Sequence, residues 1–332
     1  MSLADTLAHL VHERGPITVA LCMAAARHRG VDAQRIEATP ATDAARRESG
    51  LDTEPDTAAL ARRVLACWHA LDRPDTLDVV DAAPRGPRVT ALLQHLEAAD
   101  AAALAAVRLW LVEPAREAQR ALSAAAGRWA PQVATVATLP GQVRGLILAI
   151  DLLDRLPVHA VVMTPEGLRE QYLDAGADGW IVRLGSPSTP ALASTIAASS
   201  GTLPVGGHAY VPLAALAWLA RATSALQSGH LLLSSATGTP DEPAVPTGAE
   251  PAAPSAATQA AARLSREILA RLGTDDLVVP LDGVVLQRAI AELDCHITEI
   301  RSEPPRTIWL VGRTPGTAAV TGGPVHPRPA AL

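Results

Sequence analysis

The 332-residue sequence contains no Phe, no Lys and no Asn, and aromatic residues make up only 2% of it. The codons of the three missing residues are AT-rich, so we attribute this bias to a GC-rich bacterial genome and give it no functional meaning. A core must therefore be built from Leu, Val, Ala and Ile. With 48% apolar residues, the chain is long enough for one large domain or two smaller ones.

Charge and hydropathy exclude several classes of protein. All 28 cationic residues are arginines, the net charge is −6, and no run of like charge is long. A nucleic-acid-binding protein would carry a basic stripe, which this sequence lacks. No apolar stretch reaches the ~18 residues of a membrane span, and the N-terminus shows no signal-peptide pattern. We therefore expect neither nucleic acid nor a membrane as a partner.

The three cysteines, Cys22, Cys67 and Cys295, are odd in number and far apart, with no CxxC spacing. This pattern favours buried free thiols in a reducing cytoplasm over disulfides or a metal site. The ten histidines are scattered, with no H-x-x-x-H spacing and no nearby cluster of acids. We expect no bound metal.

Apolar strands alternate with amphipathic helices in the middle of the chain, which is typical of βαβ units and a parallel sheet. We predict parallel strands at 76–82, 106–113, 133–138, 144–150 and 230–235, a small antiparallel group at 158–163, 167–174 and 179–184, and a hairpin at 294–312. We predict helices on both sides of a break at 15–18 and at 56–71, 87–98, 114–126, 190–199, 209–227, 258–272 and 282–293. Thr18 is the expected cap of the second helix.

These elements predict an α/β fold with one main domain. We assign residues 1–72 to an N-terminal helical region, and residues 73–235 and 257–313 to the α/β domain, with an insert at 158–227. Residues 236–256 are rich in Pro, Ala and Thr and almost without large apolar side chains, which predicts a flexible loop. The tail at 314–332 is expected to be disordered.

A strand, a turn and a helix at 77–96 form the arrangement in which doubly wound sheets hold nucleotide-type ligands. The turn reads Ala-Ala-Pro-Arg-Gly-Pro at 82–87, with one glycine and no G-x-G-x-x-G, so an ordinary loop fits it as well as a cofactor loop. Glu113 ends the next strand, where a carboxylate can accept hydrogen bonds from ribose hydroxyls. The alternative is a solvated acid favoured by the helix dipole.

Two aspartates, Asp151 and Asp154, follow the apolar strand at 144–150. We place this strand beside the first one, so both carboxylates are expected in the same crevice. The alternative for Asp151 is that it caps the start of a helix.

Several segments occur in a fixed order: "GPITV", "LDVVDAAPRGPRVTALLQHL", "RLWLVEP", "LILAIDLLDRLPV" and "PVGGHAYVPLAALAWLARATSAL". In this order they resemble the MidA family of S-adenosylmethionine-dependent methyltransferases, whose mitochondrial members assist assembly of respiratory complex I. The shorter actinobacterial members look most similar. The resemblance covers roughly residues 14–233 and, more faintly, 272–290. It implies a class I methyltransferase fold, a Rossmann-like, mostly parallel seven-stranded sheet with an antiparallel C-terminal hairpin.

The resemblance also implies a cofactor site for S-adenosylmethionine. Asp81 stands where the family has a glutamate at the end of the first strand. In the glycine-rich loop that follows, which holds the methionine part of the cofactor, Ala83 replaces the first glycine, Pro84 matches, and Gly86 is the glycine that remains. Glu113 matches the ribose-binding acid. The loop is therefore expected to be a degraded cofactor loop.

The second acidic position of the family is altered as well. Its Asn-Glu pair after the fourth strand is here Ile150-Asp151, so an amide is lost and a carboxylate is shortened. Asp154 matches the family, whereas its Asp-Tyr after the next core strand appears as Ser234-Ser235. Asp151 and Asp154 are the expected catalytic residues, able to orient or deprotonate a methyl acceptor.

Three functions remain open from the sequence. The first is a methyltransferase whose acceptor is an arginine of a partner protein or a small molecule. The second is an inactive scaffold or partner subunit that has lost the cofactor. The third is a protein that holds a different nucleotide-type ligand through Glu113. Homo- or hetero-oligomerisation stays open as well.

Overall fold

The computed structural model of the chain describes residues 3–28, 56–176, 179–200, 203–236, 279, 283–303 and 306–313. Apart from Ala236, the predicted flexible loop at 236–256 lies outside the described residues. So do the predicted helix at 258–272 and the predicted tail.

The helices are α1 (Leu3–Arg14), α2 (Val19–His28), α3 (Thr57–Ala70), α4 (Gly86–Ala99), α5 (Ala101–Ala106), α6 (Arg116–Ala126), α7 (Ala191–Ser200), α8 (Leu213–Ala225) and α9 (Gly283–Ala291). The strands are β1 (Ile17–Thr18), β2 (Leu77–Asp81), β3 (Val107–Val112), β4 (Val133–Val136), β5 (Val143–Ile150), β6 (His159–Thr164), β7 (Gly167–Gly176), β8 (Gly179–Gly185), β9 (His208–Val211), β10 (Leu226–Ala236), β11 (Cys295–Glu303) and β12 (Arg306–Arg313). Short 3₁₀ segments lie at Gly127–Gln132 and Leu153–Arg155.

Seven strands form the larger sheet, in the order β11-β12-β10-β5-β2-β3-β4. The five strands from β10 to β4 are parallel, whereas β12 runs antiparallel to both β10 and β11. This arrangement confirms the predicted α/β fold with its antiparallel C-terminal pair. The strand order reverses direction between β5 and β2, and ligands of such sheets bind in the crevice outside the carboxyl ends at that point.

Helices cover both faces of the larger sheet. On one face α3 and α4 pack against β2 and β3, where Leu92 and Leu109 are fully buried. On the other face α8 and α9 pack against β5 and β10, around Leu219 and Ile147. Residues 137–142 join β4 to β5 without a helix, so β3 and β4 have no crossover helix over them on the second face.

The smaller sheet has the order β1-β7-β6-β9, with β8 also paired to β7, and its pairs are antiparallel. It confirms the predicted antiparallel group. The break predicted at 15–18 contains β1, in which Ile17 pairs with Leu173. Helices α1 and α2 share a core with this sheet through Leu7 and Cys22, so the first 28 residues pack on the smaller sheet.

One predicted helix was wrong in its first part. The first three residues of the predicted helix 209–227 belong to β9 (His208–Val211), which pairs with β6, and α8 begins only at Leu213. Pro212 separates the two elements because its ring stops it from donating a ladder hydrogen bond. The prediction for Thr18 is confirmed, since its Oγ1 accepts a hydrogen bond of 3.1 Å from the Leu21 N–H. Helix α5 was not predicted.

The three cysteines are free and buried, as predicted. Burial raises the pKa of Cys22 to about 12 and, despite an opposing backbone hydrogen bond, that of Cys67 to about 11. Both thiols are therefore protonated and unreactive near neutral pH. Among the described helices, none is long and apolar enough to span a membrane.

Candidate active site

The carboxyl edge of the larger sheet brings the predicted acids together. Asp81 ends β2, Glu113 directly follows β3 on one side of it, and Asp151 directly follows β5 on the other. The register places Asp81 opposite Leu111 in β3 and Leu148 in β5, so the three strands end at nearly the same level.

Asp81 is bound to an arginine that the sequence prediction did not include. Its side chain is 2% exposed, and that of Arg88 is 1% exposed. Arg88 Nη2 lies 3.1 Å from both carboxylate oxygens, Nε donates to Oδ2 at 3.2 Å, and Nη2 also donates to the Ala83 carbonyl. Because the guanidinium and carboxylate are both removed from water, Asp81 is a poor acceptor for a ligand.

The loop after β2 is closed against the protein. The Ala83 N–H donates to Asp81 Oδ1 at 3.1 Å, and the Ala82 N–H donates to the Leu148 carbonyl at 2.8 Å. Ala83 and Pro84 are buried. Gly86 begins α4, where an added Cβ would touch Ala125 Cβ of α6 at 3.5 Å, an ordinary contact. Gly86 therefore has no conformational role that requires glycine.

Glu113 is hydrogen-bonded to the residue that precedes the next helix. One carboxylate oxygen accepts a hydrogen bond of 2.8 Å from the Ala115 N–H, just before α6 begins at Arg116. The Glu113 N–H donates to the Val136 carbonyl of β4 at 2.8 Å. Glu113 therefore lies at the positive end of the dipole of α6, as in the alternative that the sequence left open. A carboxylate has two oxygens and about four acceptor positions, so one such bond is compatible with ligand binding.

Ile150 and Asp151 differ in where they lie. Ile150 is 1% exposed and belongs to the core beneath α3 and α4. Asp151 is 7% exposed and has a φ of +55°, in the left-handed region, while its N–H donates to the Ser234 carbonyl at 3.1 Å. Strained residues of this kind cluster at functional sites. The 3₁₀ segment at 153–155 has no side-chain cap, so Asp151 is not a helix cap.

Asp154 is almost fully buried, at 1% exposure. The Ser235 hydroxyl donates to its Oδ1 at 2.5 Å, and the Val279 N–H donates to its backbone carbonyl at 2.8 Å. Asp154 therefore joins the segment after β5 to the end of β10 and to residue 279. These contacts hold the segment that carries Asp151.

A cavity of about 790 Å³ opens beside this edge. One wall comes from the strand ends and includes Ala82, Val112 and Pro114, so that Glu113 lies between two lining residues. Loop residues 137–141 and Leu152 add further apolar lining, and α8 contributes the opposite wall. Ligand pockets of small molecules have this size and this mostly apolar character.

Sequence reasoning missed Arg88 and the α8 wall. Helix α4 buries Val89, Leu92, Leu93 and Leu96, and Arg88 lies one turn before Leu92 on the same face. An arginine on a buried helix face needs an acidic partner. That signal was in the sequence, and Asp81 was the nearest acid before it.

The strand order and the crevice define the class I methyltransferase fold. The chain belongs to the family described as "Putative S-adenosyl-L-methionine-dependent methyltransferase", whose model matches residues 59–300. Methyl transfer is therefore its class of reaction, and S-adenosylmethionine is its cofactor. This result confirms the methyltransferase class that the sequence resemblance implied.

Two crystal structures of proteins from Burkholderia thailandensis have the same fold as this chain. The first, of an uncharacterized protein, is 16% identical over 94% of this chain and 91% of its own length, with a TM-score of 0.67. The second contains S-adenosylhomocysteine and is 16% identical over 94% and 92%, with a TM-score of 0.62. A comparison with curated proteins found no significant match.

The residues fit one part of the cofactor better than the other. The apolar cavity beside Glu113, at about 790 Å³, is large enough for a nucleoside. The amino-acid part meets a loop whose carboxylate, Asp81, already binds Arg88. The site therefore has more groups free to contact the nucleoside part of the cofactor than its amino-acid part.

Proposed function

We propose that the chain transfers a methyl group from S-adenosylmethionine to an acceptor that enters the cavity between the strand ends and α8. The observation that carries this proposal is the position of the cavity. It lies at the reversal of strand order, its lining residues flank Glu113, and Leu152 next to Asp151 forms part of it. A donor and an acceptor held there would meet beside both acids.

Each residue has a role that follows from its surroundings. When bound, S-adenosylmethionine supplies an electrophilic methyl group. Glu113 would accept hydrogen bonds from the ribose hydroxyls, and the apolar lining would keep water away from the reacting atoms. Asp151 would orient the acceptor or take the proton that it loses. Asp154, held by Ser235, would position the segment that carries Asp151. The acceptor is an arginine of a partner protein or a small molecule.

Calorimetry with S-adenosylhomocysteine tests the nucleoside contact. A charge-assisted hydrogen bond contributes ~1.5–3 kcal/mol, so Glu113→Gln should weaken binding about tenfold or more. Glu117→Gln is the matched control, because Glu117 is an exposed acid in the first turn of α6 and does not line the cavity. An unchanged dissociation constant for Glu113→Gln would remove that residue from the site.

A second candidate is an inactive scaffold with the methyltransferase fold. The buried Asp81–Arg88 pair supports it, because the pair takes the carboxylate at the start of the cofactor loop. This function predicts no binding of S-adenosylmethionine or S-adenosylhomocysteine. It also predicts that Ala83→Gly with Ile150→Asn lowers thermal stability without raising affinity, since Ile150 is part of the core.

We further propose a reducing, cytoplasmic setting. The buried free thiols support it, since they need no oxidising compartment.

A further inference from the structure

The α8 wall of the cavity has a distinct chemical character. Trp218, Arg221 and Ser224 line it at intervals of three residues and so share one face of the helix. The side chain of Arg221 is exposed and, among the described residues, makes no hydrogen bond or ion pair. Among the described residues that line the cavity, Arg221 alone carries a charge.

The acids of the strand edge do not neutralise this arginine. Asp81 binds Arg88, and Asp154 accepts the Ser235 hydroxyl. Glu113 accepts the Ala115 N–H at the start of α6. None of these three side chains, nor that of Asp151, is among the described lining residues. A ligand in the cavity therefore meets a cation set in an apolar wall.

Arginine and tryptophan together favour a particular class of ligand. A guanidinium binds a carboxylate through two parallel hydrogen bonds. Trp218 is 8% exposed, and the part of its indole that lines the cavity offers an apolar contact for another ring. A cationic ligand such as a peptide arginine would be repelled by Arg221, and the described lining residues include no acid that would balance its charge.

We propose that the acceptor is a small aromatic molecule that carries a carboxylate, with Arg221 binding the carboxylate and Trp218 contacting the ring. This inference rests on the proposed function and decides between its two kinds of acceptor. It assigns the strand-edge wall to the nucleoside and the α8 wall to the acceptor.

Three naphthalene probes of similar size test the charge preference. Calorimetry should rank 2-naphthoate above 2-naphthamide and 2-naphthylmethylammonium, in both the absence and the presence of saturating S-adenosylhomocysteine. Arg221→Gln should weaken 2-naphthoate binding about five- to tenfold and leave 2-naphthamide unchanged. Arg221→Lys should recover part of the loss. Arg120→Gln, an exposed arginine of α6 outside the lining, is the control and should change nothing.

The outcomes separate this inference from the proposed function. Normal S-adenosylhomocysteine binding with equal affinity for naphthoate and naphthamide would overturn the inference alone. An Arg221→Gln variant that binds naphthoate like the wild type would do the same. If S-adenosylhomocysteine displaced naphthoate, the α8 wall would belong to the cofactor and the inference would fall. If the protein preferred 2-naphthoate but did not bind S-adenosylhomocysteine, the proposed function would be overturned, whereas an anion-binding site at Arg221 would still be supported.

Discussion

The two sheets each bury an acid with a basic partner, but the partners differ in kind. In the larger sheet Asp81 pairs with Arg88, which is always charged. In the smaller sheet the fully buried Glu170 lies 2.7 Å from His159 Nδ1 and accepts the Ser188 N–H at 2.6 Å. The crevice is therefore built on an ion pair whose cation is permanent, and the smaller sheet on a carboxylate held by hydrogen bonds from an imidazole and a backbone N–H.

Breaking the arginine pair should give the largest effect. Arg88→Met leaves the Asp81 carboxylate buried without its cation, which should cost about 3–5 kcal/mol in the free energy of unfolding. Urea denaturation measures this loss. The double variant Asp81→Asn with Arg88→Met should recover much of the stability, because neither charge then remains buried. A single variant as stable as the wild type would show that the pair is not a structural element.

Removing the charge of the smaller-sheet acid should cost less. Glu170→Gln keeps the shape of the side chain and can replace both contacts by neutral hydrogen bonds, so it loses only the difference between a charge-assisted bond of about 1.5–3 kcal/mol and a neutral one of about 0.5–1.5 kcal/mol. Glu117→Gln, at an exposed position in the first turn of α6, is the control and should leave stability unchanged. Equal urea midpoints for the two variants would show that the charge of Glu170 does not contribute to stability.

The pH dependence of stability should differ between Glu170 and its glutamine variant. Burial acts to raise the pKa of Glu170, but the hydrogen bonds from His159 and Ser188 outweigh it and hold the pKa below its usual value. A lowered folded-state pKa gives stability that is present above the unfolded pKa of about 4.3 and is lost as pH falls below it. Thermal melts between about pH 5 and pH 3 should show a steeper loss for the wild type than for Glu170→Gln. Parallel curves would rule out this role.

The smallest effect is expected at the other end of β2. Asp78 there is buried, but its partner Arg108 is half exposed, with Nη2 2.6 Å from Oδ1. Asp78 also accepts hydrogen bonds from Trp110 Nε1 at 3.0 Å and the Arg144 N–H at 3.1 Å. Arg108→Gln should therefore cost only about 1 kcal/mol or less. A loss as large as that of Arg88→Met would show that burial of the cation does not decide the energy.

The sequence predicted the larger sheet well because its strands are strongly apolar and separated by clear helices. Leu77–Asp81 and Val143–Ile150 were predicted to within a residue. Short elements were harder to predict. The four residues of β9 are followed almost directly by an apolar helix, and they are too few to show the alternation of a strand. The two-residue β1 exists only through its pairing with β7.

The sequence predicted the positions of candidate site residues only where a residue ends a strand or directly follows one. The positions of Asp81, Glu113 and Asp151 followed from the strand order. The partner of Asp81 required knowing which face of α4 is buried. The cavity could not be predicted from the sequence, because α8 begins about a hundred residues after Glu113 and reaches the same edge of the sheet only in the folded chain.

The missing helix between β4 and β5 has a mechanical consequence. The connection must pass across three spacings between neighbouring strands, each ~4.8 Å. It must also run back along the strand direction by about six residues. The straight-line distance that it spans is therefore roughly 25 Å. Seven peptide steps from Val136 to Val143 reach at most about 25 Å. The connection therefore needs most of its reachable length, and we expect residues 137–141 to move little when a ligand enters the cavity.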